Sequence, residues 1–244
     1  MANEEKESSG VWYGILDAAL KIPGARVDRT NFLEKEFSQY AGDKLATILD
    51  QGPGKAGIAP DALDKIADGA IRSHTTIVTG TSFLAGLPGG IAMAGTIPAD
   101  LAQYYYHVIV IAQKLAYVYG WPDLQVDSEG EADQDAFLAV LTIFIGIMSG
   151  AKEANSALKP MSEILCQETT KKLPVIALAK IGLPQIAKQV AKVLGANLAK
   201  QGLAKGIGKI VPIIGGAISG AVTIATYLPM ANTLKNELRN QIIK

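Results

Sequence analysis

Cysteine is nearly absent from this chain of 244 residues. Cys166 stands alone, which excludes an intramolecular disulfide and fits a reducing compartment. Histidine is as scarce: His74 and His107 are the two, with no HExxH pair and no Cys/His cluster, so no metal site is expected. Aromatic residues make up 6% of the chain, so the 49% apolar content is mainly Ala, Ile, Leu and Val. Net charge is zero, which argues against a nucleic-acid partner. Between Glu168 and Glu237 acidic residues are missing altogether, yet nine lysines fall there, Lys171, Lys172, Lys180, Lys188, Lys192, Lys200, Lys205, Lys209 and Lys235. The acidic counterweight lies upstream, around Asp123, Asp127, Glu129, Glu131, Asp133 and Asp135. Such a division calls for an anionic partner of the later segment, either a lipid surface or the chain's own acidic part. The opening MANEEKESSG has neither the basic n-region nor the apolar core of a signal peptide, and Ala2 breaks the myristoylation pattern; the expectation is a cytoplasmic chain.

What is present reads as helix. Residues 1–10 are expected to form a disordered tail and 11–244 a single domain. Val11 to Lys21 predicts a short helix with Val11, Trp12, Ile15 and Ala19 on one side, stopped by Pro23-Gly24. Asp28 or Thr30 caps the next, where Phe32, Leu33, Phe37 and Tyr40 recur at helical spacing. GPGKAG at 52–57 is a loop, and Pro60-Asp61 open an amphipathic helix buried along Leu63, Ile66, Ala67, Ala70 and Ile71. A helix from Asp100 to Tyr119 ends at Gly120-Trp121-Pro122. VIVIA (108–112) and VLTIFIGI (140–147) are rich in branched residues, but each lies in a long segment without turn signals, which favours helix over strand. Leu183 to Lys200 is the clearest amphipathic helix, with Leu183, Ile186, Val190, Val193, Leu194 and Leu198 on one side and Gln185, Lys188, Gln189 and Lys192 on the other.

Two runs carry no charge until Asp100 and Lys235: 75–99 and 210–234. Each is long enough for a membrane span of about 20 residues. Pro88-Gly89-Gly90 and Pro98 interrupt the first, Pro212 and Pro229 the second, so compact broken hairpins are expected instead of straight spans, with a polar tail over 235–244.

Motifs for chemistry fail one by one. GLAKGIGKI at 202–210 resembles a phosphate loop, but its first glycine is misplaced and Ile210 stands where Ser or Thr must bind magnesium. GxSxG does not occur. The acidic loop 127–135 has Ala132 where an EF-hand needs glycine. Neither a catalytic residue nor a cofactor is expected, and an enzyme working through Asp100, His107 or His74 would be one that no motif reveals. Glycine spacing says more. Gly146 and Gly150, like Gly216 and Gly220, lie four apart in uncharged helices, where they let backbones approach closely, inside a soluble core or in lipid. Lysine stems along an apolar surface reach lipid phosphate or water equally well.

GTSFLAGLPGGIAMAGTIPADLAQYYYHVIVIAQKLAYVYGWPD (80–123) resembles the EcsC protein family in its glycines Gly86, Gly89 and Gly90, in Ile97-Pro98-Ala99-Asp100, and in the following helix that closes in Ala116-Tyr117-Val118-Tyr119-Gly120. Ile210-Val211-Pro212-Ile213-Ile214-Gly215-Gly216-Ala217 is similar to that family's C-terminal pattern. The resemblance implies a bacterial-type helical protein with no established catalytic residues and a hint of membranes. Asp100, the one acidic residue between two uncharged runs (75–99 and 101–113), is expected to be a helix cap or a buried polar contact.

These readings converge on an all-α, compact multi-helix bundle with glycine-rich apolar helical hairpins. The expected function is non-enzymatic binding to, or partial insertion into, anionic lipid at the inner face of the cell membrane. Lys188, Lys192, Lys200, Lys205 and Lys209 would meet the lipid; Gly86, Gly89, Gly90, Gly146, Gly150, Gly216 and Gly220 would pack helices. The alternative is a soluble carrier of lipid or another apolar ligand. A homo-oligomer and a membrane-protein partner stay open.

Overall fold

The computed structural model describes residues 2–79, 99–125, 131–167, 173–200 and 220–243, with side chains for 9–76, 101–125, 132–167, 173–197 and 227–243. Ten helices and no strand lie among the described residues: α1 (Ala2–Leu20), α2 (Arg29–Glu36), α3 (Asp43–Gln51), α4 (Pro60–Thr79), α5 (Ala99–Val118), α6 (Glu131–Met148), α7 (Lys152–Gln167), α8 (Val175–Lys180), α9 (Leu183–Lys200) and α10 (Gly220–Asn240). The fold is all-α, as its sequence pattern predicts.

The two branched runs form the centre. In α5 every side chain from His107 to Val118 is buried except the half-buried Lys114, and α6 is buried from Ala139 to Met148. A helix that is apolar all round needs protein on every side. α1, α4, α7, α9 and α10 supply it, with α9 lying against both α1 and α6, and α10 against α4, α5 and α6. Two polar side chains inside tie the elements together. Trp12 Nε1 donates to Thr142 Oγ1 at 3.0 Å, joining α1 to α6. The fully buried Gln113 donates to Ala25 O (2.7 Å) and Ile109 O (3.0 Å) and accepts from Val27 N (3.1 Å), fixing the loop before α2 against α5.

Asp28, not Thr30, is the cap of α2: its side chain accepts from Asn31 N at 2.9 Å. α5 stops where expected. Gly120 (φ 92°) follows the last turn, with Gly120 N bonded to Tyr117 O (3.2 Å) and Trp121 N to Ala116 O (3.0 Å), the paired bonds of a Schellman terminus. Gly146 packs helices as expected, since a Cβ there would lie 2.5 Å from Val190 Cγ1 and 2.7 Å from Ala154 Cβ.

Four expectations are corrected. Gly150 is no packing residue: it lies beyond α6 at φ 76° with nothing within 4 Å of a would-be Cβ, and Ala151 N bonded to Gly146 O (2.8 Å) makes it the helix terminator. The polar start is helical from Ala2. Pro229 does not break the second uncharged run, because α10 passes through it. Packing on α4, α5, α6 and α7 offsets the missing amide, a loss that costs an isolated helix about 3 kcal/mol. The polar tail is no tail either. Lys235 pairs with Asp68 (2.8 Å), and Arg239 with Asp64 (2.5 Å) and Asp61 (3.5 Å), all on α4. Beyond α10, Ile243 is buried and its N–H donates to Tyr119 O at 3.1 Å.

Candidate functional site

α8 and α9 form a hairpin turned at Gly182, whose φ of 74° only glycine adopts freely. Leu183, Ala187, Val190, Ala191 and Leu194 of α9 are buried. Ile186 is half-buried and Val193 is 37% exposed, so the apolar stripe is narrower than its sequence pattern predicts. On α8, Ile176 is 77% exposed. These two are the exposed large apolar side chains among the described residues, and both belong to this hairpin. Beside them Lys180, Gln185, Lys188 and Gln189 are exposed and Lys192 is half-buried. No ion pair among the described residues involves Lys180 or Lys188. Lys200 is the last residue of α9, its side chain outside the described residues, where Lys205 and Lys209 also lie. Gly86, Gly89, Gly90 and Gly216, and with them the expected hairpin turns, fall outside too. Gly220 opens α10, and Asp100 is the second residue of α5, in its first turn and not at a preceding cap position.

Sequence spacing did not reveal a second cluster. His74 of α4 and His107 of α5 are 3% and 4% exposed, with His107 Nδ1 3.2 Å from His74 Nε2 and the rings edge to face. Tyr227 of α10 lies 5.9 Å from the His74 ring, and Tyr106 lies 5.0 Å from that of His107. His74 Nδ1 and the Tyr227 hydroxyl are buried without a hydrogen-bond partner. Burial, joined by the neighbouring His107 and the positive Lys114, pushes His74 down to about 3, and burial pushes His107 down to about 4. Both imidazoles are therefore neutral near pH 7, sharing one N–H···N hydrogen bond. One signal was available in the sequence: His74 continues the buried stripe of α4 after Ala67, Ala70 and Ile71.

A cleft of about 660 Å³ lies between α2, α3 and the α5–α6 connection, lined by Arg29, Thr30, Thr47, Asp50, Gln51 and Asp123 among others. The buried Arg29 guanidinium donates from Nε to Trp121 O (3.1 Å) and from Nη1 to Leu49 O (2.7 Å). Those bonds spend it on tying the end of α3 to the turn after α5. Asp50 and Asp123 offset its charge, and burial lowers its pKa. This polar cleft differs from the glycine-lined apolar cavity that a lipid carrier calls for.

Among the described residues no helix is long and apolar enough to cross a membrane, and no group of three or more metal-ligating side chains occurs. Compared with family models, with curated proteins and with solved structures, the chain matches none.

Proposed function

We propose that this chain is a non-enzymatic helical protein that associates reversibly with anionic membranes, and that the α8–α9 hairpin makes the contact. One observation carries the reading: the two exposed large apolar side chains among the described residues, Ile176 and Val193, share a hairpin with Lys180, Lys188 and Lys192 in a segment without a single carboxylate. Ile176 adds about 2 kcal/mol if it enters the acyl boundary, and each lysine about 1 kcal/mol near an anionic surface. A total of roughly 5 kcal/mol holds a protein to a bilayer without committing it there. The EcsC resemblance agrees with a membrane role, and the inner leaflet of a bacterial cell membrane is the surface we propose.

Flotation with vesicles of phosphatidylcholine, alone or with phosphatidylglycerol, tests this. Binding should rise with the anionic fraction, fall with salt, and be lost in Lys180→Glu/Lys188→Glu while the helical circular dichroism stays unchanged. Equal flotation of the charge-reversed and parent proteins would remove the hairpin from the contact. A co-purified lipid in native mass spectrometry, without flotation, would favour the carrier alternative.

A further inference from the structure

Arg29 forms part of the wall of the cleft between α2, α3 and the α5–α6 connection. Its bonds to Trp121 O and Leu49 O come from Nε and Nη1, while Nη2 makes no hydrogen bond. Nor is Nη2 sealed away. The buried side-chain nitrogens and oxygens without a partner among the described residues are His74 Nδ1, Trp121 Nε1 and Tyr227 Oη, and Nη2 is not one of them. A side chain only 5% exposed therefore presents unpaired donors to open space, and the open space against it is the cleft. The other charges on this wall are Asp50 and Asp123. Arg29 makes no ion pair with either, so a gap separates the two signs. Asp123 accepts from Gln125 N (3.0 Å) and from the Tyr117 hydroxyl (3.3 Å). A carboxylate offers about four acceptor positions and keeps its charge, so serving other groups takes neither Asp out of the wall.

These signs select among ligands. A simple anion would meet Arg29 but face two carboxylates, and a simple cation would leave the Nη2 donors unpaired beside a like charge. A neutral polyol would hydrogen-bond without matching either charge. A molecule that carries a carboxylate next to an ammonium answers both walls and adds no net charge. We propose that the cleft binds a small zwitterion of the α-amino acid class, with its carboxylate on Arg29 Nη2 and its ammonium toward Asp50 and Asp123. Charge-assisted bonds of this kind are among the strong ones, and guanidinium and carboxylate match in geometry. The volume of about 660 Å³ lies within the roughly 300–1,000 Å³ of small-molecule sites, which leaves space for the ligand's own side chain. Ala46, Thr47 and Gln51 of α3 also line the cleft. No residue of the α8–α9 hairpin takes part, so this site stands or falls apart from the membrane reading.

Isothermal titration calorimetry with the common protein amino acids tests the site, each brought to about 10 mM, where even millimolar binding registers. At least one should bind. Its methyl ester lacks the carboxylate charge and its N-acetyl form lacks the ammonium, and each should bind about 10-fold or more weakly, the size of one lost charged contact. Arg29 also holds α3 to the turn after α5, so the ester probes its contact without replacing it. Asp50 is exposed, and Asp50→Asn should weaken binding by a similar factor with helical circular dichroism unchanged; Asp123→Asn is the second variant. Absence of binding by every amino acid would overturn the inference. So would an ester or N-acetyl form that binds as tightly as its parent, acetate or glucose that binds as tightly as the amino acid, or an affinity unchanged in both Asp variants.

Discussion

Replacing Gly54 by alanine should unseat the C-terminal end of the chain. The last described residues pass over the loop before α4, and a Cβ on Gly54 would run into the carbonyl oxygen of Ile243 and lie 3.1 Å from Ile242 Cγ2. Backbone cannot rotate aside as a side-chain tip does. Gly54 lies outside the left-handed region that holds Gly52 and Gly57, so alanine brings no dihedral strain and its cost is the collision alone. If the end lifts away, it forfeits the burial of Ile243, 3% exposed, and the Ile243 N–Tyr119 O bond of 3.1 Å. Those losses amount to about 2–3 kcal/mol for the side chain and about 1 kcal/mol for the bond. At about 2–4 °C per kcal/mol for a chain of this size, Tm should fall by about 10 °C in a thermal melt. Gly69→Ala on α4, with no atom within 4 Å, is the control and should be neutral or stabilising by up to about 1 kcal/mol. In a chain shortened to end at Gln241 the collision partner is gone, so Gly54→Ala should cost almost nothing there. A full cost in the shortened chain, or no cost in the full one, would refute the reasoning.

Gly146→Ala should destabilise by about 1–2 kcal/mol in urea denaturation, because overpacking against Val190 and Ala154 exceeds the gain in helix propensity. Gln113→Leu should cost about 3 kcal/mol in the same assay, since it strands Val27 N and Ala25 O in the core. Stability measured by denaturant midpoint should fall by about 3 kcal/mol between pH 7.5 and 5.5, as the depressed histidines bind protons only once released, and Gln at positions 74 and 107 should flatten that slope.

Helix identity was legible wherever periodicity or stop chemistry is local. Pro60, the stripe from Leu63 to Ile71, and Gly120-Trp121-Pro122 each specify their own turn of backbone, and the structure follows them. Gly146 and Gly150 show where local reading ends. Their spacing is identical to a packing motif, yet the ends of α6 and α7 meet there, and φ 76° at Gly150 turns the chain. Pro229 is similar: its cost is local, but the contacts of α10 that offset it come from α4, α5, α6 and α7. The histidine pair was invisible for the same reason, because two residues on different helices meet only after those helices pack. In the candidate contact surface, the lysines were readable from composition. That Ile176 is left uncovered and Val193 partly so is a property of the packed hairpin.

The central claim is that the α8–α9 hairpin meets anionic lipid, and co-flotation at pH 7.5 measures it most directly. Parent protein should float with phosphatidylglycerol-containing vesicles at low salt, release as salt shortens the reach of surface charge, and stay unbound on phosphatidylcholine alone. Lys180→Glu/Lys188→Glu, folded as judged by circular dichroism, should stay at the bottom of the gradient. Parent protein that remains there with every vesicle, while monodisperse in solution, would contradict the account.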